Sequence, residues 1–346
     1  MKNRVYNFEI SIDWDLLNLI SQIDRFDASW SSLEKIEGQT LKRLKNIATI
    51  QSVGASTRIE GSKLSDKDVE ELLEQIDISK LEDRDSQEVV GYFNVLDLIL
   101  EDSESFDIAE REIKNLHNLL LKVSRKDEWH RGNYKQHSNA VQARFPDGST
   151  QIIFQTTEPG ISTEEEMRKL FEWYREEQNV HSLIKIAAFV YDFLSIHPFQ
   201  DGNGRMSRLL TSLLLLKKSY KWIQYVSFEH EIENNKTKYY QALRNCQAQR
   251  PNEDITEWVN FFLNSLINVQ LKLEEKLKLS DKTKDLSPKV KQIYRYISLH
   301  PGCRSGEISN DLNMPNPSVK KRLQELVELD LIKRHGKGRG VNYEKK

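Results

Sequence analysis

This sequence predicts an all-α fold with one small β-hairpin, followed by a separate helix–helix–helix–hairpin module. Three observations predict it. Apolar residues recur at helical spacing through most of the chain before Lys278. Residues 132–157 break that rhythm with two short strand-like runs around Pro146-Asp147-Gly148, a hairpin signal. After the polar stretch Lys278–Ser287 the charge balance reverses: Pro288–Lys346 holds 13 Lys/Arg against 6 Asp/Glu, although the whole chain is −2. A chain of 346 residues has room for two or three domains at roughly 100–200 residues each.

The opening residues read as extended, and Trp14, Leu16, Leu17, Leu19 and Ile20 then set a helical stripe. Asp24–Leu33 reads as a turn region and Leu41–Ile50 as helix again. Ser56–Glu60 reads as a short helix stopped by Gly61, and Ser65 as the N-cap of the next, with Asp68 in the capping-box position. Residues 86–124 are predicted helical, broken around Asp102–Ser105. Ser162, with Glu165 three residues on, forms a capping-box pattern for a helix to about Glu177. Val180–Leu194 and Arg205–Leu216 are apolar enough to be expected in the core. Residues 236–248 and 254–278 read as further helices, the last long and increasingly charged. Beyond the linker, Pro288–His300, Ser305–Leu312 and Pro315–Leu329 read as three helices. The third has Ser318 as a start and a stripe at Val319, Leu323, Leu326 and Leu329. Leu331–Tyr343 reads as strand, Gly-rich turn and strand. The expected divisions are 1–85, 86–277, a linker 278–287, and 288–346.

Composition excludes several classes. The two cysteines, Cys246 and Cys303, rule out a disulfide scaffold and a Cys-based zinc site, and fit a reducing cytoplasm. No run reaches about 18 apolar residues; Leu209–Leu216 is followed at once by Lys217 and Lys218. The opening MKNRVYNFEISIDWDLL lacks a signal-peptide core. A cytoplasmic protein without membrane contact is expected. The 13 Phe, 12 Tyr and 6 Trp argue for a packed core rather than disorder. A net charge of −2 excludes a globally basic nucleic-acid coat but leaves room for the basic tail.

The densest chemistry is His197-Pro-Phe-Gln-Asp-Gly-Asn-Gly-Arg-Met-Ser-Arg208, between the two most apolar helices. Gly202 and Gly204 allow close backbone approach and, with Asn203, can aim N–H groups into one concavity. Arg205 opens the next helix, whose free N–H groups face the same space, a recipe for holding phosphates. Arg205 and Arg208, three apart, share a side of that helix. Asp201 is a natural magnesium ligand, because a cation bound to substrate phosphates needs only one or two carboxylates. His197 suits a general base. There is no G-x-x-x-x-G-K-[ST] loop, no G-x-G-x-x-G after a strand and no H-E-x-x-H helix. His117, His130 and His137 lack metal-ligand spacing and read as surface or packing residues, with His117 bordering the core.

HPFQDGNGRMSR resembles the Fic signature H-x-F-x-[D/E]-G-N-G-R-x-x-R at every fixed position. The resemblance covers roughly residues 50–250. It implies a Fic-type helical bundle with a hairpin flap, and transfer of AMP from ATP to a Ser, Thr or Tyr hydroxyl of a target protein or of the chain itself. By resemblance, His197 deprotonates the hydroxyl, Phe199 packs inward, and Asp201 holds Mg²⁺ (or Mn²⁺) bridging the α- and β-phosphates. Gly202, Asn203 and Gly204 form the anion nest, Arg205 holds the β-phosphate region and Arg208 the γ-phosphate. Attack is in line at the α-phosphorus, with pyrophosphate leaving.

Residues 138–157 stand where the family carries its flap, with Phe154 as a clamp residue. Gly132-Asn-Tyr134 resembles the usual approach to it, although Lys135 stands where Arg is commoner. Tyr239-Tyr240-x-Ala-Leu243 resembles the family's YY-x-A-L segment; one tyrosine would border the adenine, or both are core, and Asn235 would help line the pocket. Ser56-Thr-Arg-Ile-Glu60-Gly61 matches the family's inhibitory pattern, within a helix near 54–61. Ser56 and Glu60 share a helical face, and the Glu60 carboxylate would occupy the Arg208 fork and deny it to the γ-phosphate. In some relatives the same glutamate serves AMP removal, which is one alternative for this chain. Family members often self-associate, so a homodimer is an expectation of the resemblance alone.

The C-terminal module resembles a winged helix. Lys320, Lys321 and Arg322 lie on its recognition helix and Lys333, Arg334, Lys337 and Arg339 on the wing, a surface suited to DNA phosphates or to a protein partner. The remaining alternative is therefore a DNA-binding regulator that uses the Fic core as a nucleotide sensor.

Overall fold

The structure, a computed structural model, describes residues 2–36, 38–75, 81, 83–144, 150–284, 286–336 and 338–346. It divides into two compact units, Met1–Lys272 and Leu273–Lys346. The first unit opens with an antiparallel hairpin, β1 (Lys2–Val5) and β2 (Phe8–Ser11). Helices α1 (Trp14–Ile36) and α2 (Gly38–Ile59) follow. Asp24–Leu33, expected as a turn, lies inside α1. Ser29 is exposed and Asp24 and Asp27 are half-buried, Asp24 accepting from the Tyr220 hydroxyl at 2.9 Å, while Ile20, Ile23, Phe26 and Trp30 continue a buried stripe. Trp14 and Leu17, assigned to that stripe, are exposed. Ser56–Ile59 is not a separate short helix but the last turn of α2.

Next come α3 (Asp66–Glu74), α4 (Arg84–Glu101) and α5 (Glu110–Leu120). Ser65 caps α3 through the capping box with Asp68. A 3-10 turn at Ser103–Ser105 breaks the next helical stretch where expected. Strands β3 (Ala140–Arg144) and β4 (Thr150–Gln155) pair antiparallel, with an irregularity between Val141 and Gln142. The Pro146-Asp147-Gly148 turn lies outside the described residues. Helix α6 (Ile161–Glu176) is capped by Gly160 at φ 79°, without a side-chain cap bond, so Ser162 lies inside its first turn rather than at the N-cap.

The core is built on α7 (Ser182–Ile196) and α8 (Asn203–Lys217), which pack on each other. Every residue of α7 from Leu183 onward is buried, which is what a helix apolar on all sides must achieve. Helix α4 lies against α8, α6 against α7, and α2 against α4 and α9 (Phe228–Asn234). The short α9 is absent from the sequence expectation; Ser227 caps it, accepting from the His230 N–H at 2.9 Å. Helices α10 (Lys236–Gln247) and α11 (Thr256–Lys284) complete the series. Residues 278–284, expected as linker, are the end of α11: Lys278-Leu-Ser-Asp-Lys-Thr-Lys284 contains neither Gly nor Pro, and its lysines and leucine are good helix formers.

The second unit contains α12 (Pro288–Leu299), α13 (Ser305–Asp311), α14 (Asn316–Glu328) and the hairpin β5 (Ile332–His335) with β6 (Asn342–Lys345). Val290, Ile293, Ile297, Ile308, Val319, Leu323, Leu326 and Leu331 form its own core. Leu329 lies beyond the end of α14 and is exposed, and α14 starts at Asn316 rather than at Ser318. Among the described residues no helix is long and apolar enough to cross a membrane.

Candidate active site

The loop between α7 and α8 is held from every side. His197 closes α7 in the left-handed region, at φ 54°, a conformation that costs a non-glycine residue energy. Gly202 leads into α8 at φ 79°, where glycine alone avoids that cost. The Asn203 side chain staples the loop: its Oδ1 accepts the Phe199 N–H at 2.8 Å and its Nδ2 donates to the Phe199 carbonyl at 2.7 Å. Asn139 Nδ2 donates to that carbonyl at 2.7 Å, and the Lys135 N–H donates to Pro198 O at 2.8 Å. The buried Lys135 ammonium, its pKa lowered to about 8 by burial, donates to Asn139 Oδ1, Thr156 Oγ1 and Ile196 O. It thereby ties the hairpin base to the end of α7.

Sequence reasoning placed His117 in the packing and missed its part in the site. Its ring stacks on Phe199 with centroids 3.7 Å apart. The Gly132 N–H donates to Nδ1 at 2.9 Å, so the ring proton sits on Nε2, which donates to the Asp201 carbonyl at 3.0 Å. Burial lowers its pKa to about 4, so this pattern stays neutral and fixed. The H-x-x-x-x-x-x-x-x-x-x-x-x-x-x-G spacing to Gly132 carries no recognisable signal, because the contact is tertiary.

His197 Nδ1 lies 3.2 Å from the Leu194 carbonyl. A carbonyl only accepts, so the neutral ring carries its proton on Nδ1 and leaves Nε2 with the lone pair. Burial, partly offset by that hydrogen bond, lowers its pKa to about 4. At neutral pH it is a base without a competing proton.

The charged groups form a connected set. Arg205 is buried, with Nη2 3.5 Å from Asp201 Oδ1 and Nη1 3.5 Å from Glu88 Oε1. Its Nε and Nη1 have no hydrogen-bond partner among the described residues. Asp201 Oδ1 accepts the Gly202 N–H at 2.6 Å, and Oδ2 faces Arg84 Nη2 at 3.4 Å. Burial alone would raise the Asp201 pKa; Arg205, the Gly202 N–H and Arg84 outweigh it and hold the carboxyl ionised. Arg84 and Glu88 are further members of this set that sequence reasoning did not single out.

Glu60 lies on Arg208. Its Oε1 accepts from Arg208 Nη2 at 2.7 Å, while Arg208 Nε donates to Ser56 Oγ at 2.8 Å and Nη2 to Ser56 O at 3.0 Å. Burial would raise the Glu60 pKa, but the adjacent Arg208 guanidinium lowers it overall. A Cβ placed on Gly204 would meet Glu60 Oε1 at 2.4 Å, so the carboxylate rests against the N-terminus of α8. Gly61, at φ 112°, ends the helix, and its N–H donates to Arg58 O at 3.1 Å.

The other expected residues scatter. Tyr239 is buried among Tyr240, Trp258 and Phe261 and belongs to the core. Tyr240 is partly exposed beneath Arg244, and the charges of Glu60 and Arg208 act on both rings. The Asn235 side chain is turned to Glu231, donating to its backbone carbonyl at 3.1 Å and to Oε1 at 2.9 Å. Phe154 is partly buried on β4 opposite Val141. Among the described residues no group of three His, Cys, Asp or Glu could hold a metal. A hard cation would fit here through the Asp201 carboxylate and substrate oxygens, beside the unpartnered N–H groups of Arg205.

On the second unit, Lys320, Lys321, Lys333 and Arg334 are exposed. Arg322 folds back onto its own helix, donating to Ser318 O at 2.9 Å. Lys337 and the Arg339 side chain lie outside what is described.

Residues 107–215 match the Fic/DOC family, and residues 286–333 match the winged helix-turn-helix DNA-binding domains. The chain is 24% identical over 205 residues to the protein adenylyltransferase Fic of Drosophila sechellia, a match covering 58% of this chain and 39% of that protein. It is 26% identical over 207 residues to the Culex quinquefasciatus protein of the same name, again 58% and 39%. The chain thus spans less than half the length of the curated relatives it matches. Three solved structures have a similar fold. A Fic family protein from Desulfovibrio desulfuricans shares 22% identity at TM-score 0.64, over 97% of each chain. A Fic domain containing signaling protein from Bacteroides thetaiotaomicron shares 23% at TM-score 0.58, over 74% of this chain and 97% of that one. Fic-1 from C. elegans shares 19% at TM-score 0.58, over 77% and 72%. The Fic/DOC match thus falls on the helical unit and the winged-helix match on the C-terminal one, and the solved structures share the fold.

Proposed function

We propose that this chain transfers AMP from ATP to a hydroxyl of a target protein or of itself, and that Glu60 holds it in check. The observation that carries the reading is Glu60 seated on the buried Arg208 at 2.7 Å, on the helix whose N-terminus holds Gly202, Gly204 and the buried Arg205 and follows the loop of His197. In this reading the N-terminal N–H groups of α8 and the unpartnered N–H groups of Arg205 take the polyphosphate oxygens. Arg208 takes the γ-phosphate once Glu60 has left. His197 Nε2 accepts the proton of the Ser, Thr or Tyr hydroxyl as its oxygen bonds to the α-phosphorus. The bond from that phosphorus to the bridging oxygen breaks, and pyrophosphate leaves with the electron pair. Asp201 is the side chain that would hold Mg²⁺ or Mn²⁺, whose contribution when bound is to neutralise charge on the bridging phosphate oxygens.

The test is incubation of wild type, Glu60→Gly and His197→Ala with labelled ATP and cell extract, with mass analysis of modified residues. Incorporation is expected to rise in Glu60→Gly. It is expected to fall by about 10²–10⁴-fold when His197→Ala is added to that variant, the usual contribution of a general base. Silence in every form would refute transfer.

A second reading is supported by the exposed cations of α14 and β5, of which Lys320 and Arg334 line a cavity of about 1010 Å³ with Arg304, Asn310 and Gln324, and with the acidic Glu307 and Glu328. In it the C-terminal unit binds DNA and the Fic core senses nucleotide. Specific duplex binding with no transfer by Glu60→Gly would favour it.

A further inference from the structure

We infer, resting on the reading of Glu60 as a brake, that Arg58 is a positioning residue that keeps Glu60 on Arg208 through an ion-pair latch to Glu233. A helix C-terminus has unpaired carbonyls and frays readily. A carboxylate just beyond such an end makes a weak brake unless the end is tied down. Here it is tied from outside the cleft. Arg58 Nε and Nη2 donate to the two oxygens of Glu233 at 2.6 and 3.0 Å, a bidentate fork. Nη1 donates to the Leu64 carbonyl at 3.0 Å, and Asp66 Oδ1 lies 2.9 Å from Nη2. Lys236 Nζ donates to the Ile59 carbonyl at 2.6 Å, one residue before Glu60.

Glu233 belongs to the last turn of α9 and Lys236 opens α10, so one junction grips the last turn of α2 from behind while Glu60 grips Arg208 in front. The Arg58 and Glu233 side chains are only 20% and 23% exposed, so the pair is shielded from the screening that weakens surface bridges. A Cβ on Gly54 would meet Arg58 Nη1 at 2.6 Å and Asp66 Oδ1 at 2.7 Å, so the guanidinium lies flat on α2 with little freedom to re-aim. His230 Nδ1, 3.5 Å from Glu233 Oε2, faces the same carboxylate from its own helix. Withdrawal of Glu60 moves the α2 terminus and must stretch this latch.

The experiment measures labelled AMP incorporation by the full chain for wild type, Arg58→Gln, Arg58→Lys, Glu233→Gln, Glu60→Gly, and the pair Arg58→Gln with Glu60→Gly. Loss of a hydrogen bond between charged groups is expected to raise incorporation about tenfold in each Gln variant. Arg58→Gln is expected to add nothing to Glu60→Gly, and Arg58→Lys, which keeps a cation facing Glu233 and Asp66, to raise incorporation less than Arg58→Gln, which a merely loosened helix would not do. Gln variants at the wild-type level beside an active Glu60→Gly would overturn the latch. So would an equal gain from Arg58→Gln in the Glu60→Gly background. A silent Glu60→Gly overturns the brake itself, a separate result.

Discussion

At the scale of single residues, the site works through protonation states set by burial. His197 has its pKa lowered to about 4 from the ordinary 6.5. It is neutral above that value and loses its lone pair only as pH falls through it. The activity of Glu60→Gly is therefore expected to stay flat from about pH 8 to about pH 5, to reach half near pH 4 and to approach unit slope only below that. Measured kcat/KM against pH checks this, and a half-drop near 6.5 would place the base in water rather than in the cleft. The motif residues 197–208 were legible because their roles follow from local order along the chain: a loop, two glycines and a helix start. His117, Arg84, Glu88 and Arg58 were not legible. Each acts through a partner far off in sequence, such as Asp201 for His117 or Glu233 for Arg58, and nothing in their own surroundings announces the contact.

At the scale of elements, periodicity located α7 and α8 to within a turn because each carries a long apolar stretch, Leu183–Leu194 broken only by Lys185 and Asp192, and Leu209–Leu216 broken only by Thr211 and Ser212. It failed where polar residues and helix coincide. Asp24, Asp27 and Ser29 look like punctuation, yet Ile23, Phe26 and Trp30 keep the inner stripe intact, and tertiary burial decides. The crossing of α4 and α5 rests on an absent side chain. A Cβ on Gly91 would stand 2.0 Å from the Leu120 carbonyl oxygen, a backbone atom that cannot move aside cheaply. Gly91→Ala is expected to cost about 3 kcal/mol, the upper end for overpacking, read as a lower urea midpoint. Because α5 carries His117, the same change is expected to weaken nucleotide binding by Glu60→Gly, measured by calorimetry.

At the scale of the whole molecule, two units carry two kinds of surface. The C-terminal unit has its own apolar core, while its cations are exposed on α14 and β5. If it meets duplex DNA through Lys320, Lys321, Lys333 and Arg334, log K against log salt is expected to slope at about −3 to −4, near −0.9 per phosphate contact. Changing Lys320 and Lys333 to Ala together would flatten that slope by about 2 units, and a salt-independent affinity would point to a protein partner instead. Arg205 has a consequence of a different kind. Its buried Nε has no hydrogen-bond partner among the described residues, and its Nη1 meets only the Glu88 carboxylate, at the long distance of 3.5 Å. An oxyanion that reaches these N–H groups would complete their hydrogen bonds, and a ligand that binds only the folded chain stabilises it. Inert pyrophosphate is expected to lift the melting temperature in a dose-dependent way, and Arg205→Met to abolish the lift. A guest would then be part of what keeps this protein folded.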